Sequence, residues 1–574
     1  MKRLISTMIA FLLPLAASAL GYRGIVIPVE FSDTKFSSLY SGVTVKIESA
    51  RDYLNDQFTY GPTINFDIAP TVRLSKASAW YGANSSSRKD DRIGELVREA
   101  CAALKIDWST YDNDADGYID NVCFITAGGS EADGAGADHI WPQQGSMADF
   151  GGTFQAGSKT VDSFSVCAES SSMAVFCHEF LHSFGLPDMY DTDGTGSGGR
   201  TKGLWGKLSI MDSGIMAGAD ATPPSFSAIE LELLGIGRPV RLAKGYHTLR
   251  PVGTSKEYLR IDTPNDGEYF LLECRKAEGW DAGIGGEGLV IYHIDKSVNN
   301  SWYSDYFSRN LSARERWEHN EINCRPEHPC ARAIEAIPGT TDISKIFFPQ
   351  AGHDSFSSDT DPSYHFWNGE TAEQCIDNIT IKEDGSAVFR VITPLVLYSL
   401  QAFQDAAIAN GYTDDALTVK ECRLTWYPES DKSRLTARSA SATVQQDGTF
   451  SLLIDNLTPS TTYILDTRAI CQDGKIYSNR RSFTTKSLNP KLRPFIYLNS
   501  LSRRPDGSFF AGGACPLRIY NPGDVSAIRW YFNEEPVTTG PDGYWHLTES
   551  GTLKAELFLK DGSVEILTKK LTVQ

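Results

Sequence analysis

Residues 177–191 have the sequence Cys177-His-Glu-Phe-Leu-His-Ser-Phe-Gly-Leu-Pro-Asp-Met-Tyr-Asp191, and this stretch decides how the first part of the chain folds. The apolar spacing before and within it predicts a helix from Ser171 to Phe184. His178 and His182 are four residues apart, so a helix places both imidazoles on one face, one turn above the other. Two imidazole nitrogens in this arrangement can bind one metal ion.

Three further residues give this spacing a chemical meaning. Glu179 points about 100° round the helix from His178, so it can approach a water molecule on the metal without binding the metal itself. Gly185 is the residue type that ends a helix in a left-handed turn, and such a turn brings Asp188 back as a third ligand. A site with three protein ligands and one open position is typical of catalytic zinc.

Two alternatives to a catalytic metal site stay open at this point. The histidines can be ordinary helix residues, one of them bonded to a carboxylate. The second alternative is a structural zinc site, which needs a fourth Cys or His ligand nearby. Cys177 lies about 100° round the helix from His178, on a different side, and does not suit that role.

The composition of the 574 residues is that of a folded protein with several domains. One hydrophobic core rarely serves so long a chain, so we expect three or four domains. Hydrophobic residues make up 41% of the chain and charged residues 22%, which argues against disordered and fibrous classes.

The N-terminus has the features of a cleavable export signal. Two basic residues precede an apolar run at residues 4–17, and Ala17-Ser-Ala19 has the small-x-small form of a cleavage site. An uncleaved anchor is the alternative, but the run is short for a membrane span and contains Pro14. We predict a signal peptide at residues 1–19, no transmembrane segment, and secretion of the mature chain.

The charge of the chain argues against nucleic acid as a partner. Without the signal peptide, 52 basic residues face 72 acidic ones, a net charge of −20. Such a chain lacks the basic surplus that displaces counterions from phosphates. Its acidic residues also supply the oxygen ligands that calcium prefers.

The cysteine content does not indicate a disulfide scaffold. Eleven cysteines are few for an exported chain of this length, and their odd number leaves at least one thiol unpaired. Cys324 and Cys330 bracket a short loop and are expected to pair. Cys422 and Cys471 are expected to bridge a later β module.

Strands and helices alternate in residues 20–245. The pattern predicts a buried strand at residues 22–31, amphipathic helices at residues 46–60 and 94–104, and a further strand at residues 122–127. These segments and the helix of the histidine motif indicate an α/β or α+β domain.

The rest of the chain is predicted to be rich in β-structure. From residue 246 the pattern changes to short β-rich runs separated by Gly, Asn, Asp and Pro. We expect a β-rich domain at residues 246–393 packed on the first domain. A fibronectin type III-like module is expected at residues 394–487 and an immunoglobulin-like module at residues 488–574, both all-β sandwiches.

The span from His178 to Asp191 resembles the immune inhibitor A family of secreted bacterial zinc metallopeptidases, which belongs with the metzincin-like enzymes. Segments similar to that family continue in order through residues 22 to about 393. They are Val26–Asp33, Arg51–Tyr53, Tyr111–Asn121, Ile140–Pro142, Trp205–Gly214, Glu273–Arg275, Gly279–Asp281 and Gly288–Asp295. The resemblance implies a zincin- or metzincin-like α+β catalytic domain at residues 20–245.

The resemblance also implies a role for each residue of the motif. His178, His182 and Asp188 would hold one zinc ion, and Glu179 would be the catalytic base. Zinc lowers the pKa of a bound water toward about 7, and the glutamate takes the proton and later delivers it to the leaving amine.

Two further features follow from the resemblance. Met211 is implied as the methionine turn beneath the metal, with Met216 as the competing residue. Family members usually carry a propeptide between signal and catalytic domain. Here the first predicted strand closely follows residue 19, so we expect latency to work differently or to be absent.

The stretch Asp112-Asn-Asp-Ala-Asp-Gly-Tyr-Ile-Asp120 predicts a structural calcium site. Its aspartates occupy positions 1, 3, 5 and 9 of a calcium loop. Position 12 is Cys123 and not a bidentate Glu, so the loop is not an EF-hand. A solvated turn without metal is the alternative. The predicted ligands are Asp112, Asp114, Asp116 and Asp120, and Tyr190-Asp-Thr-Asp-Gly194 is a second candidate loop.

Together these features predict an exported zinc endopeptidase that hydrolyses peptide bonds of extracellular proteins. Its partners are protein or peptide substrates, and the C-terminal modules act as spacers or bind a surface or matrix ligand. The rival class is a surface adhesion or substrate-binding protein that keeps the peptidase fold without turnover. Intact residues at all four motif positions favour the enzyme.

Overall fold

The computed structural model describes residues 21–574 apart from residues 87, 214–221, 415–416, 488–493, 498–507, 521 and 541–543. The chain divides into two compact units, and the second consists of Ser355–Asp377 and Arg390–Gln574. The predicted signal peptide at residues 1–19 and the alternative methionine, Met216, lie outside the described residues. Among the described residues, no helix is both long enough and apolar enough to span a membrane.

The first unit begins with a mixed β-sheet. The strands before the motif helix are β1 (Tyr22–Glu30), β2 (Ile64–Ile68), β3 (Val72–Arg73), β4 (Tyr118–Ile119), β5 (Val122–Thr126), β6 (Gln143–Ser146), β7 (Phe154–Ala156), β8 (Lys159–Val161) and β9 (Ser163–Ala168). The sheet order is β2-β1-β5-β9-β6, and β3 also pairs with β1. Strands β2, β1, β5 and β9 are parallel, whereas β6 is an antiparallel strand beside β9.

Helices cover both faces of this sheet. The α-helices of the first unit, among the described residues, are α1 (Val45–Gln57), α2 (Ser78–Gly82), α3 (Ile93–Ala103), α4 (Met173–His182), α5 (Ala228–Leu234), α6 (Val252–Ser255) and α7 (Ala313–Glu318). Helices α1 and α4 share one apolar cluster with Val26 of β1, whereas α3 shares another with Ile25 and Ile27. A central strand covered on both faces needs apolar residues at successive positions, which explains the continuous apolar run of β1.

The predicted elements of this region lie close to the observed ones. The strands predicted at residues 22–31 and 122–127 each end one residue earlier in the structure, as β1 and β5. The helix predicted at residues 46–60 is α1, which follows a π-helical turn, Tyr40–Thr44, and ends before Gly61-Pro62.

A second sheet of the first unit packs against the same core as the motif helix. Its strands belong to the series β10 (Arg238–Val240), β11 (Gly245–Leu249), β12 (Glu257–Asp262), β13 (Glu268–Arg275), β14 (Gly288–Asp295), β15 (Ser301–Ser304), β16 (Arg309–Ser312) and β17 (Ala331–Ala333). The sheet order is β10-β12-β13-β14-β17. Leu271 of β13 and Tyr292 of β14 share the apolar cluster that contains Phe180 of α4. A domain boundary at residue 245 stays a prediction.

From residue 375 the regular structure consists of strands among the described residues. They are β18 (Cys375–Ile381), β19 (Ala387–Ile392), β20 (Leu395–Ala402), β21 (Ala407–Thr413), β22 (Val419–Pro428), β23 (Arg438–Ala442), β24 (Thr449–Ile454), β25 (Thr462–Cys471), β26 (Ile476–Thr484), β27 (Phe495–Tyr497), β28 (Gly513–Cys515), β29 (Arg518–Tyr520), β30 (Val525–Phe532), β31 (Glu535–Val537), β32 (Trp545–Leu547), β33 (Gly551–Leu559) and β34 (Val564–Leu571). The prediction of a multidomain chain rich in β-structure is confirmed.

Two sheets of the second unit share one core. The sheet β20-β21-β24 and the sheet β23-β22-β25-β26 both contribute to a cluster that includes Leu397, Leu424 and Leu465. Another cluster lies among the strands after residue 495 and includes Leu553 and Leu557 of β33. The likeness of these parts to fibronectin type III and immunoglobulin modules stays a prediction.

The structure contradicts both expected disulfides. All eleven cysteines are buried free thiols. In the register of β22 with β25, Cys422 is opposite Ala469 and Cys471 is opposite Val419, so the two thiols belong to different core clusters. Cys324 contacts the hydroxyl of Thr192 at 3.2 Å instead of pairing with Cys330.

Asp90 fixes the segment that leads into the edge strand β6. Its Oδ2 accepts hydrogen bonds from the backbone N–H of Trp141 at 2.9 Å and from Gln143 Nε2 at 2.6 Å. Asp90 is fully buried, and its Oδ1 has no hydrogen-bond partner among the described residues. Burial raises the pKa of Asp90 to about 7.

We expect Asp90→Asn to flatten the pH dependence of stability. The folded-state pKa of about 7 exceeds the unfolded value of about 3.9, so the native protein loses stability as pH rises from about 4 through about 7. The neutral amide lacks this loss, which we expect to be on the order of 2 kcal/mol between pH 5 and pH 8. Urea unfolding at both pH values measures it.

Asp91→Asn is the matched control, because Asp91 is the exposed neighbour of Asp90. Its free energy of unfolding is expected to follow the pH dependence of the unmodified protein. An identical pH dependence for Asp90→Asn would show that the Asp90 carboxyl does not titrate in this range.

Candidate metal centre

Helix α4 lies within the predicted span of Ser171 to Phe184 and is two residues shorter at each end. The side chain of Ser172 accepts a hydrogen bond from the backbone N–H of Val175, so Ser172 is the N-cap. The helix ends at His182, and Gly185 adopts a left-handed conformation with a φ of 85°. This turn lets the chain return toward the helix at Asp188.

The three predicted zinc ligands converge. Oδ1 of Asp188 lies 3.0 Å from Nε2 of His178 and 3.4 Å from Nε2 of His182. Ligand atoms at the corners of a tetrahedron around zinc lie about 3.3 Å apart, given bond lengths of about 2.0–2.2 Å. Oδ1 of Asp188 is buried and, apart from these imidazoles, has no hydrogen-bond partner among the described residues. These residues therefore fit a zinc ion.

Backbone carbonyls orient both imidazoles. Nδ1 of His178 donates to the carbonyl of Ile210 at 2.9 Å, and Nδ1 of His182 donates to the carbonyl of Leu186 at 2.7 Å. Because a carbonyl only accepts, each Nδ1 carries a hydrogen. With a metal bound, Nε2 of each ring would therefore be the unprotonated nitrogen that faces the metal beside Asp188.

The negative charges of Asp188 and Glu179 favour positive charge beside the Nε2 atoms of the two histidines. Burial lowers the pKa of His178, but the hydrogen bond to Asp188 and the charge of Glu179 outweigh it and raise the pKa to about 9. Burial raises the pKa of Asp188, but its hydrogen bonds to both histidines hold that pKa well below its usual range. The Asp188 carboxylate is therefore ionised, and its charge is balanced by a protonated His178 or by a metal ion bound in its place.

Glu179 lies beside the three predicted zinc ligands and is not predicted to be one of them. Its side chain is 6% exposed, and the backbone N–H of Gln144 in β6 donates to its carboxylate. Burial raises the pKa of Glu179, while the two histidines oppose the rise. A carboxylate with a raised pKa is a stronger base than an exposed one.

Met211 lies in the turn that supports His178. It is fully buried and follows Ile210, whose carbonyl accepts from the His178 ring. The Met211 carbonyl accepts from the backbone N–H of Met189, which joins the turn to the segment after Asp188. This placement is compatible with a methionine turn, whose role stays a prediction.

Buried charges hold that turn in place. Glu230 accepts from the hydroxyl of Ser209, and Arg275 donates to the carbonyl of Leu208 at 2.9 Å. The Arg275 guanidinium is fully buried and pairs with Glu273 at 2.6 Å and with Asp281 at 2.8 Å. A strand of the second sheet, β13, thereby fixes the backbone next to Ile210.

Three further residues contribute to this site in ways that the spacing of the motif does not predict. Gln144 acts through its backbone, and the ring of Tyr190 stacks on His178 with centroids 6.4 Å apart. Burial raises the pKa of Tyr190, so its hydroxyl stays protonated. Asn320 hydrogen-bonds to Asp188 across 132 residues of sequence. Sequence spacing does not predict the contact of Asn320 with Asp188, because no motif surrounds this distant asparagine.

The structure brings three of the four predicted calcium ligands close together. Carboxylate oxygens of Asp112, Asp114 and Asp116 lie within 4.8 Å of one another. The fourth predicted ligand, Asp120, accepts instead from the backbone and side chain of Asn113. The ammonium group of Lys159 pairs with Asp112. Calcium binding here stays a prediction.

The second candidate loop also gathers possible ligand atoms. Asp191, Asp193 and Cys324 have ligand atoms within 4.8 Å of one another. The Asp191 carboxylate accepts from the backbone N–H groups of Gly194 and Thr201, whereas both Asp193 oxygens are buried without partners among the described residues. A cation in this loop stays a prediction as well.

Comparison with known proteins confirms the resemblance for the region that holds the metal centre. Residues 27–234 match the family described as immune inhibitor A peptidase M6, catalytic domain. Over 216 residues the chain is 30% identical to Immune inhibitor A of Bacillus thuringiensis subsp. alesti. The aligned region covers 32% of this chain and 31% of that protein. Over 236 residues this chain is 30% identical to Pre-pro-metalloprotease PrtV of Vibrio cholerae serotype O1, strain M66-2. That aligned region covers 35% of this chain and 25% of PrtV.

The similarity is therefore partial on both sides. The chain spans less than a third of the length of these two relatives. A solved structure of two fibronectin type III domains from chicken tenascin is 12% identical over 31% of this chain and 97% of that chain, with a TM-score of 0.13. A score this low adds nothing to the assignment of the later modules.

We expect Asp188→Ala to lose bound zinc. Two neutral imidazoles remain without the carboxylate, so the variant lacks one ligand and the anionic charge. Metal analysis after dialysis is expected to fall from about one zinc per chain to well below half. Asp138→Ala, at an exposed aspartate of the same unit, is the control. Full zinc occupancy in Asp188→Ala would assign the third ligand elsewhere.

We expect a calcium-selective chelator to lower the melting temperature if the Asp112 loop holds calcium. Loss of a ligand that binds only the folded state destabilises that state, and a shift of about 2–4 °C is expected with zinc kept saturating. The double variant Asp114→Ala/Asp116→Ala is expected to melt at the same temperature with and without chelator. An unchanged melting temperature in the unmodified protein supports a solvated turn.

Proposed function

We propose that this chain is a secreted zinc-dependent endopeptidase that hydrolyses peptide bonds of extracellular proteins. The observation that carries the proposal is the convergence of His178, His182 and Asp188 beside a buried glutamate, Glu179. The family match of residues 27–234 supports the same class of chemistry. The finer fold assignment, a metzincin-like α+β domain with Met211 under the metal, is part of this proposal.

The metal ligands and their supports define what the site can do. His178, His182 and Asp188 would hold zinc through Nε2, Nε2 and Oδ1, leaving a fourth position open. When bound, zinc supplies Lewis acidity that polarises the scissile carbonyl and acidifies a water molecule. The carboxylate ligand makes the site one charge less positive than three histidines would.

Glu179 is the proposed proton carrier. Its carboxylate lies one residue from His178 and is shielded from solvent, so it can take a proton from the attacking water. Its raised pKa then lets Glu179 hold the proton and deliver it to the departing amine. No covalent intermediate with the protein is needed.

The edge strand β6 gives a place for an extended peptide. It is the last strand in the order β2-β1-β5-β9-β6, so one of its edges has no partner strand among the described residues. Gln144 of this strand donates its N–H to Glu179, so the strand lies alongside the proposed base. A peptide that pairs with such an edge is bound by main-chain hydrogen bonds, which supports a protein substrate.

We expect Glu179→Ala to keep zinc and lose turnover. The glutamate is not a ligand, so metal content should equal that of the unmodified protein, whereas loss of the base should lower kcat by about 10²–10⁴-fold. Casein degradation and metal analysis on the same preparation measure both. Glu48→Gln, at an exposed glutamate of α1, is the control for a change of charge.

Two outcomes would contradict the proposal. Equal casein degradation by Glu179→Ala and the unmodified protein would exclude Glu179 as the base. Zinc-loaded protein that degrades neither casein nor a library of unstructured peptides would favour the rival, a binding or adhesion protein that keeps the fold without turnover. A zinc chelator should abolish the activity and added zinc should restore it.

A further inference from the structure

Asn320 forms a pair of hydrogen bonds with the third predicted zinc ligand. The backbone N–H of Asp188 donates to Oδ1 of Asn320 at 2.7 Å, and Nδ2 of Asn320 donates to Oδ2 of Asp188 at 2.7 Å. We propose that Asn320 is the positioning residue that selects which oxygen of Asp188 binds the metal. This inference rests on the zinc site of the proposed function.

The pair fixes the rotation of the carboxylate. A free carboxylate can offer either oxygen, or both, to a cation. Here Oδ2 is engaged by Asn320, and Oδ1 is the oxygen that faces both imidazole Nε2 atoms, at 3.0 and 3.4 Å. The hydrogen bond to an anionic oxygen is of the stronger, charge-assisted kind. Asp188 is thereby prepared as a ligand through one oxygen.

The pair requires a primary amide. One atom of the side chain must accept from a backbone N–H while a second atom, on the same carbon, donates to a carboxylate. An aspartate at position 320 accepts but cannot donate when ionised, and a hydroxyl has only one polar atom. Asn320 also has a φ of 58°, a left-handed conformation that asparagine tolerates better than most residues.

The backbone around Asn320 is held from the protein interior. It follows helix α7, and the next residue, Glu321, pairs with the fully buried Arg316 at 3.2 Å. Arg316 also donates to the carbonyl of Trp302 at 3.1 Å, and Glu321 accepts from the hydroxyl of Ser304 at 2.7 Å. The buried contacts of Arg316 and Glu321 therefore fix the backbone that carries the Asn320 amide.

The same segment binds the chain that follows Asp188. The hydroxyl of Thr192 donates to the carbonyl of Asn320 at 2.7 Å, and Nδ2 of Asn323 donates to the carbonyl of Met189 at 2.8 Å. The hydroxyl of Thr201 donates to the carbonyl of Asn323 at 2.6 Å. These bonds are the reason that the effect of Asn320 must be separated from a general effect on the loop.

Asn320 lies outside the region that matches the peptidase family, which ends at residue 234. It belongs to the predicted β-rich domain at residues 246–393, not to the predicted catalytic domain. The zinc affinity of this chain is therefore predicted to depend on a residue that the motif region does not contain. Outer hydrogen-bond partners of metal ligands typically change metal affinity by about 10–100-fold when removed.

The test is the zinc dissociation constant of the full chain, measured on metal-free protein by competition with a chromophoric chelator. Asn320→Gly keeps the left-handed backbone and removes both hydrogen bonds. Asn320→Asp keeps the acceptor and places a second carboxylate against Oδ2 of Asp188. We expect both variants to bind zinc about 10–100-fold more weakly. Cobalt substituted for zinc is expected to show a weaker absorption of the tetrahedral type.

Asn456 provides matched controls, because it is an exposed asparagine with a φ of 55° in the second unit. Asn456→Gly and Asn456→Asp should leave the zinc dissociation constant unchanged. At saturating zinc, the Asn320 variants are expected to lower kcat with little change in KM, because the substrate does not contact Asn320 in this proposal.

A double variant separates positioning from loop stability. If Asn320 acts through Asp188, adding Asn320→Gly to Asp188→Ala should leave the weak residual zinc affinity of the two histidines unchanged. A further loss of affinity in the double variant would overturn the proposal and assign Asn320 to the loop as a whole.

The remaining outcomes distinguish this inference from the proposed function. Unmodified protein that binds no zinc contradicts the proposed function. Unmodified protein that binds zinc, with Asn320→Gly and Asn320→Asp equal to it within about twofold, contradicts the role of Asn320 alone. If Asn320→Gly does not fold, Asn320→Asp decides the question.

Discussion

Asp188 is an ionised carboxylate buried between two imidazoles, and the surrounding residues must balance its buried charge. A buried anion without a compensating cation is among the most costly arrangements in a protein. Glu179 and Tyr190 supply no positive charge, so the compensating charge comes from the imidazoles or from a metal ion that they share with Asp188. Two imidazole Nε2 atoms face Oδ1 at distances compatible with a shared zinc ion. The same ion would relieve the cost of burial and supply the chemistry.

The ligand geometry depends on groups that are not ligands. The carbonyls of Ile210 and Leu186 set the tautomers of the two histidines, and Asn320 sets the rotation of the Asp188 carboxylate. The carbonyl of Ile210 lies in a turn held by the buried Arg275 of β13. The metal centre therefore draws support from the second sheet and from the segment after α7, because buried polar groups need partners wherever the chain can provide them.

The two acidic loops near the first sheet differ in how their charges are balanced. In the Asp112 loop, Lys159 pairs with one carboxylate, so part of the negative charge is already compensated by the protein. In the loop after Asp188, both oxygens of Asp193 are buried without partners among the described residues. Similar sequence patterns thus meet different surroundings, and sequence spacing alone does not distinguish them.

The sequence by itself determined those features that depend on neighbours along the chain. The spacing of His178 and His182, the cap at Ser172 and the left-handed turn at Gly185 are local, because helix geometry fixes the relation of residues a few positions apart. The apolar run of β1 likewise indicated a buried strand. The expected Cys422–Cys471 disulfide was wrong because pairing depends on strand register, which places both cysteines opposite other residues.

Only the tertiary structure decided which distant residues complete the site. Asn320 reaches Asp188 across 132 residues, Gln144 reaches Glu179 from an edge strand, and Arg275 supports the turn beside His178. No motif spacing predicts these contacts, because a hydrogen bond requires two atoms to be close in space and places no demand on their separation in sequence. The motif at residues 177–191 predicted the metal ligands, and the fold supplied the groups that orient them.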